Sequence, residues 1–183
     1  MTAVEVAAVP KASLTAWPVL LATQYGLNVI GSRSANNDLN AMLAAWVMQI
    51  AFEPRMVAVS LENDALTLRY IQATSVFTVN PLNDIHGIEI AKKVVMPAEG
   101  GKIAGRSAKA SAAIHHKLAD LRYTLSDTGC PILQDALGWY SCRAEQFIPA
   151  GDHTVVFGRV LAGEILSGGD MLLERDIGWE YGG

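Results

Sequence analysis

The residues best suited to chemistry fall in three short stretches. The first is Gly151-Asp152-His153, at a predicted corner between two strands. An imidazole changes charge near neutral pH, so His153 suits positioning a ligand or donating a proton. Spacing alone equally allows a polar strand-start histidine, with Asp152 satisfying the turn backbone. The second is Ser60-Leu61-Glu62-Asn63-Asp64, followed by Thr67, where an apolar strand runs into a helical stretch over 65–73. Two readings stand side by side. Asn63 or Asp64 caps an ordinary helix, or the N–H groups of the first turn join Ser60, Asn63 and Thr67 to hold a phosphate. The acids Glu62 and Asp64 weigh against the second reading, because a phosphate prefers basic neighbours. The third is Gly100-Gly101-Lys102-Ile103-Ala104-Gly105-Arg106-Ser107, which has the Gly-x4-Gly spacing of a P-loop. Arg106 stands where that loop needs lysine, and Pro97 interrupts the approach where a strand is required. A flexible loop beside a ligand site is the better reading of it.

Other candidates carry less. His86, His115 and His116 have no partner at metal-ligand spacing and read as structural or surface residues. No metal site is expected. Cys130 and Cys142 form neither a disulfide framework nor a ligand pair, which points weakly to a reducing compartment. No Ser-His-acid order and no Gly-x-Gly-x-x-Gly dinucleotide fingerprint is present.

The elements that must position these residues are mostly strands. Trp17–Tyr25 and Val29–Arg33 are expected to be strands, with Gly26-Leu27-Asn28 as a turn between them and Ser34–Asp38 as a polar turn after them. Residues 39–52 conflict: Leu39, Ala41, Met42, Leu43, Ala44, Ala45 and Met48 favour a buried helix by propensity. Met56–Leu61 is an apolar, β-branched strand bounded by Pro54 and Asn63. Ser75–Pro81 alternates as a strand, while Ile85–Val95 and Ala108–Leu121 read as helical or irregular excursions. Ala136–Phe147 and His153–Val160 are strands about a turn at 148–152. Leu161–Leu166 and Met171–Arg175 are then expected to flank a hairpin turn at Ser167–Asp170. Residues 1–16 read as a mobile lead and 17–183 as a single domain.

At 183 residues with 51% apolar and 17% charged residues, the chain is long and apolar enough for a sizeable core. A net charge of −4 and an acidic pI argue against nucleic-acid binding, which needs a basic face. No run reaches the ~18 apolar residues of a membrane span. The opening residues lack a basic segment followed by an apolar core, so no signal peptide and a cytoplasmic location are expected.

Taken together, Asn40-Ala41-Met42-Leu43-Ala44-Ala45-Trp46, the turn at Pro54, Ser60 with Thr67, the Phe-x-Val-Asn run ending at Asn80, and Gly151-Asp152-His153 resemble the flavin reductase-like family. The resemblance covers roughly residues 17–181. It implies a mainly β fold, a six-stranded antiparallel Greek-key split β-barrel of the FMN-binding type with excursion helices. It makes 39–52 an extended segment lying along the flavin, followed by a strand, and we adopt that over the helix. Small Ala41, Ala44 and Ala45 suit the close approach of a flat ring. The implied cofactor contacts are Asn40, Ala41, Met42, Leu43, Ala44, Ala45, Trp46, Ser60, Leu61, Glu62, Asn63 and Thr67, with His153 near the reacting centre. The implied cofactor is FMN, with FAD possible, and the implied donor is NADH or NADPH, used without a Rossmann domain. Electrons would pass to free flavin, a ferric complex, oxygen or a protein partner, and the implied assembly is a homodimer. The Ala41–Gln49 segment also resembles the flavin reductase module of flavodiiron proteins. That keeps open an FMN-binding electron carrier with little NAD(P)H activity of its own.

Overall fold

The structure is a computed structural model and describes residues 20, 22–95 and 116–178. Nine strands are present among them: β1 (Asn28–Arg33), β2 (Leu39–Ala44), β3 (Val47–Phe52), β4 (Arg55–Glu62), β5 (Val76–Pro81), β6 (Tyr123–Leu125), β7 (Pro131–Leu133), β8 (Gly138–Ala150) and β9 (His153–Ile165). Helix α1 (Leu66–Thr74) joins β4 to β5, and α2 (Gly87–Val94) follows β5. The fold is mainly β, as expected, but the strand count is larger. Seven strands form one sheet in the order β2-β1-β5-β8-β9-β4-β3, and β6-β7 form a separate two-stranded ribbon. All the pairings are antiparallel.

The two outer strands of the large sheet, β2 and β3, are consecutive in the chain. They meet at Ala45-Trp46, where Val47 N–H donates to Ala45 O (2.9 Å) and Ser60 N–H to Trp46 O (3.0 Å). That corner curls the sheet back on itself, which is what a barrel requires.

The 39–52 segment is extended, as the family resemblance implied and helix propensity did not. Six consecutive residues of β2 pair with β1, from Asn28↔Ala44 to Arg33↔Leu39. The pleat sends Ala41 and Ala45 to one apolar cluster, with Leu39 and Leu43 against it. Ala44 and Met42 face the other. Both faces are therefore covered, and burial on two faces outweighs a propensity difference of tenths of a kcal/mol per residue.

The two clusters lie on opposite sides of the sheet. One fills the barrel interior with Ile30, Val59, Leu61, Phe77, Val79 and Val156, closed by Leu68 and Ile71 of α1. The other sits outside it, where Ile90, Ala91 and Val94 of α2 pack on Val29, Ala41 and Leu133. Phe77 is the largest fully buried side chain. It fits because position 158 is glycine: a Cβ there would lie 2.5 Å from Phe77 Cζ.

Several expectations need correction. The described end of the expected first strand, Ala22–Tyr25, is turn and irregular chain; Gly26 makes only an isolated bridge, to Leu173. Leu27 is no turn residue, because its N–H donates to Leu172 O (2.8 Å) and its carbonyl accepts from Leu82 N–H (2.9 Å). The expected hairpin at Ser167–Asp170 is absent. β9 runs unbroken to Ile165, and the chain then crosses back so that Leu172 N–H donates to Leu82 O (2.9 Å). Apolar alternation continued past the turn signal, and pairing with β1 and β5 territory, not with β9, satisfies that backbone. The ribbon strand β6 was missed: three exposed residues carry almost no pattern. The turn at Ser34–Asp38 does form, with Ser34 Oγ accepting from Asn36 N–H (3.1 Å) and Asp38 N–H (3.0 Å). The 100–107 loop, residues 108–115 and residues 1–16 lie outside the described residues. Within the second excursion, 116–121 is turn and irregular chain.

Replacing Phe77 by alanine is expected to cost about 3–5 kcal/mol in urea unfolding. Gly158→Ala is also expected to destabilise, because the new methyl meets the Phe77 ring; a denaturation midpoint unchanged in either variant would contradict this packing.

Candidate functional site

Four segments converge at one end of the barrel: the Ala45-Trp46 corner, the end of β4, the start of α1 and the turn between β8 and β9. Register fixes their meeting. β4 and β9 pair as Ser60↔Val155, Leu61↔Thr154 and Glu62↔His153, so the two sequence stretches lie side by side. The turn itself needs a left-handed residue, and Gly151 supplies it at φ +68.

Asn63 fastens this junction. Its N–H donates to Asp152 O (3.0 Å) and its Nδ2 to Gly151 O (3.0 Å), while its Oδ1 accepts from Thr154 Oγ1 (2.8 Å). Asn63 is therefore not the helix cap it was expected to be, and neither is Asp64. Helix α1 begins after Ala65, which makes no side-chain cap bond, and the first turn carries no acid. The first α1 bond to that cap runs from Arg69 N–H to Ala65 O (3.3 Å), so the N–H groups of Leu66, Thr67 and Leu68 have no hydrogen-bond partner among the described residues.

The aromatic side of the site is built around Trp46. Its ring lies 5.0 Å from the His153 ring at a 45° tilt, and 6.5 Å from Tyr25 edge-on at 60°. His153 Nδ1 lies 2.7 Å from Asp152 Oδ1. The hydrogen bond and charge of His153 hold the Asp152 carboxyl below its ordinary range. Tyr25 was missed by sequence reasoning, and nothing in its local pattern marks it; it lies just before β1, and the β1–β2 register that sets Asn28 opposite Ala44 carries it towards Trp46.

The remaining predicted residues divide by burial. Asn40 and Thr67 are 5% and 1% exposed and bond to each other, Asn40 Nδ2 donating to Thr67 Oγ1 at 2.8 Å. This fixes the start of α1 on β2. Ser32, the cross-strand neighbour of Asn40, has a buried hydroxyl with no partner. Ala41 and Leu61 are fully buried, one in each cluster, and neither offers surface to a ligand. Met42, Leu43 and Ser60 are half-buried, Ala44 and Ala45 are buried small residues, and Glu62 and Asn63 sit exposed on the rim. Arg69 was also missed. It is the only basic residue between Ser60 and Ser75, and its guanidinium folds back to donate to Asp64 O (3.0 Å) beside the helix start.

The fold is thus a mainly β barrel with a small-residue corner, an uncapped helix start and a histidine–tryptophan pair at one end. The match to the family described as Flavin reductase like domain runs over residues 20–177, and the chain belongs to that family. Among similar proteins, the diflavin flavoprotein A 3 of Synechocystis sp. is 28% identical over 131 residues, covering 71% of this chain and 20% of that protein. The flavin reductase of Pseudomonas putida is 25% identical over 185 residues, covering 100% of this chain and 98% of that one. The solved NADH:FAD oxidoreductase SgcE6 of Streptomyces globisporus shares the fold, with a TM-score of 0.71 at 17% identity over 94% of this chain and 89% of that one. The chain thus spans about a fifth of the length of the diflavin relatives. Family membership supports a flavin oxidoreductase, and no described helix is long and apolar enough to cross a membrane.

Asn40→Ala is expected to destabilise by about 1–3 kcal/mol, because it removes a buried hydrogen-bond partner of Thr67. The double variant with Thr67→Val should cost less than the sum of the single variants in a denaturation cycle. Strict additivity would contradict the coupling.

Proposed function

We propose that this protein binds FMN at the junction of the Ala45-Trp46 corner with the start of α1, and that NADH or NADPH reduces it there. The observation that carries the reading is the juxtaposition of three unpartnered helix N–H groups with a wall of small residues and the Trp46–His153 pair. The donor set fits the group. The N–H groups of Leu66, Thr67 and Leu68 present partial positive charge to a phosphate, and Arg69 supplies the cation that Glu62 and Asp64 do not. Buried Ala44 and Ala45 keep backbone, not side chain, at the corner, which suits the edge of a flat ring. FAD remains compatible with the same donors, because it carries its own phosphate at the same position along the ribityl chain.

The bound flavin supplies the hydride chemistry, and the protein supplies binding and orientation. Asn63 ties the end of β4 to the β8–β9 turn and to Thr154, and Ser60 ties it to Trp46, so that the phosphate-facing loop, Trp46 and His153 keep a fixed separation. Trp46 gives an apolar wall on which the imidazole rests, excluding water from that side. The electrons leave to free flavin, a ferric complex, oxygen or a protein partner. A second reading, an FMN-binding electron carrier with little NAD(P)H activity, is supported by the diflavin relatives, in which this length of chain is only a fifth of the protein.

The reading extends to a homodimer in the cytoplasm. β3 is an outer strand with no charged residue, and its Met48 and Phe52 are 63% and 88% exposed. Uncharged, exposed outer strands of this kind are normally covered. Light scattering is expected to report about twice the 19.6 kDa of the chain; a monomer at micromolar concentration would refute the dimer.

The central test is the absorbance spectrum of the purified protein before and after anaerobic NADH and, separately, NADPH. Flavin bands that bleach with either donor support the reductase. Bands that bleach only with dithionite support the carrier, and no flavin after incubation with FMN refutes the binding. Arg69→Ala is expected to weaken FMN about tenfold, about 1.4 kcal/mol, while leaving riboflavin binding unchanged. Equal loss for both ligands would remove Arg69 from the phosphate site.

A further inference from the structure

We infer that Asp152 is a positioning residue: its carboxylate fixes the ring and tautomer of His153 and so decides which imidazole nitrogen meets the ligand. The inference rests on the reading that His153 faces the bound flavin or its donor.

The geometry begins with the backbone. Gly151 at φ +68 makes the turn, and Asn63 grips it with bonds to Gly151 O and Asp152 O, each 3.0 Å. Thr154 Oγ1 donates to the same Asn63 at 2.8 Å, so residues 151, 152 and 154 are all tied to the end of β4. The position of Asp152 is thus set by the fold, even though its side chain is 87% exposed. From that position Oδ1 reaches His153 Nδ1 at 2.7 Å, while the His153 side chain is only 12% exposed. Trp46 covers one face of the ring at 5.0 Å.

The direction of the bond follows from chemistry. Asp152 titrates below the ordinary carboxylate range, so near neutral pH it is ionised and can only accept. Nδ1 must then carry the hydrogen. Nε2, which has no hydrogen-bond partner among the described residues, is left as the nitrogen whose lone pair or proton is offered to a ligand. An imidazole with one face and one nitrogen held loses little rotational freedom when the ligand arrives. A turn aspartate that merely satisfies its own backbone would do none of this, and Asn63 already satisfies the Gly151 and Asp152 carbonyls.

The test reads the tautomer directly in the full-length flavin-free protein. Histidine labelled with 15N is examined by long-range 1H–15N correlation, and the His153→Asn spectrum assigns the signal. The wild type is expected to show the neutral His153 ring protonated at Nδ1. Asp152→Asn should lose that preference, and Asp152→Glu should recover it at least in part. In the flavin-loaded protein, Asp152→Asn should keep FMN affinity within about twofold yet slow anaerobic reduction by NAD(P)H about tenfold or more. A wild-type ring protonated at Nε2, a tautomer unmoved by Asp152→Asn, or an unchanged reduction rate would each overturn the inference. Failure of the wild type to bind flavin would instead refute the proposed function, and the tautomer measurement on flavin-free protein would still decide whether Asp152 sets the ring.

Discussion

The site depends on one constraint, the closure of a seven-stranded sheet through a corner of two residues. β2 and β3 are its outer strands, and they are joined only by Ala45-Trp46. A corner this short works because Ala44 and Ala45 are small enough to be buried where the strands turn, and because Ser60 of β4 donates across it to Trp46 O. The same bond carries Trp46 to the end of β4, and through the β4–β9 register to His153. Closure and site are thus a single arrangement. A larger residue at 44 or 45 would disturb both, because Ala44 and Ala45 are each buried, one in each apolar cluster, where the strands turn.

Buried polar groups set the register on which this closure rests. On β5 the odd residues Phe77 and Val79 fill the barrel, while the even residues Thr78 and Asn80 point outward and are still fully buried. They are covered by the β6-β7 ribbon. Thr78 Oγ1 donates to Pro131 O (2.5 Å), and Asn80 Oδ1 accepts from Leu133 N–H (2.9 Å). Asn80 Nδ2 also donates to Val29 O (3.0 Å). An apolar pair at 78 and 80 would bury comparable area but would leave Pro131 O and Leu133 N–H without these partners. Asn83 does similar service before α2, accepting from His86 N–H (2.7 Å) and donating to Ser167 Oγ (2.8 Å).

What the sequence made legible follows the same physics. β4 and β5 were readable because apolar β-branched runs bounded by proline and asparagine allow little else, and the Ser34–Asp38 turn because its side chains bond their own backbone. Residues 39–52 were not decidable from propensity. Alanine, leucine and methionine favour helix locally, and only pairing with β1, some ten residues away, overrides them. The chain from Ser167 to Leu173 failed for the opposite reason: its Gly-Gly turn signal is genuine, but the partner backbone, around Leu27 and Leu82, is distant in sequence. The three predicted stretches, 40–46, 60–67 and 151–153, are each locally compact, and the fold brings their ends together through the β4–β9 register and the Ser60–Trp46 bond. Tyr25 and Arg69 were missed because their roles arise from where the fold delivers them, and no spacing records it.

The electrostatics of the rim give the last step. Glu62, Asp64 and Asp152 crowd one end of the barrel, and a cofactor phosphate there would face three carboxylates. Each is answered in a different way. Asp152 is engaged by His153, and the Asp64 carbonyl draws in Arg69. Glu62 stands directly opposite His153 in the β4–β9 register. The Asp152 carboxylate thus anchors the imidazole, whereas Arg69 is held by the backbone carbonyl of residue 64, a bond that does not depend on the side chain there. A basic residue at 62 or 64 would leave both of these bonds in place and would remove one carboxylate from the rim. The charge of the rim and the two fixed groups are thus set by different atoms: side chains at 62 and 64 for the one, the Asp152 carboxylate and a backbone carbonyl for the other.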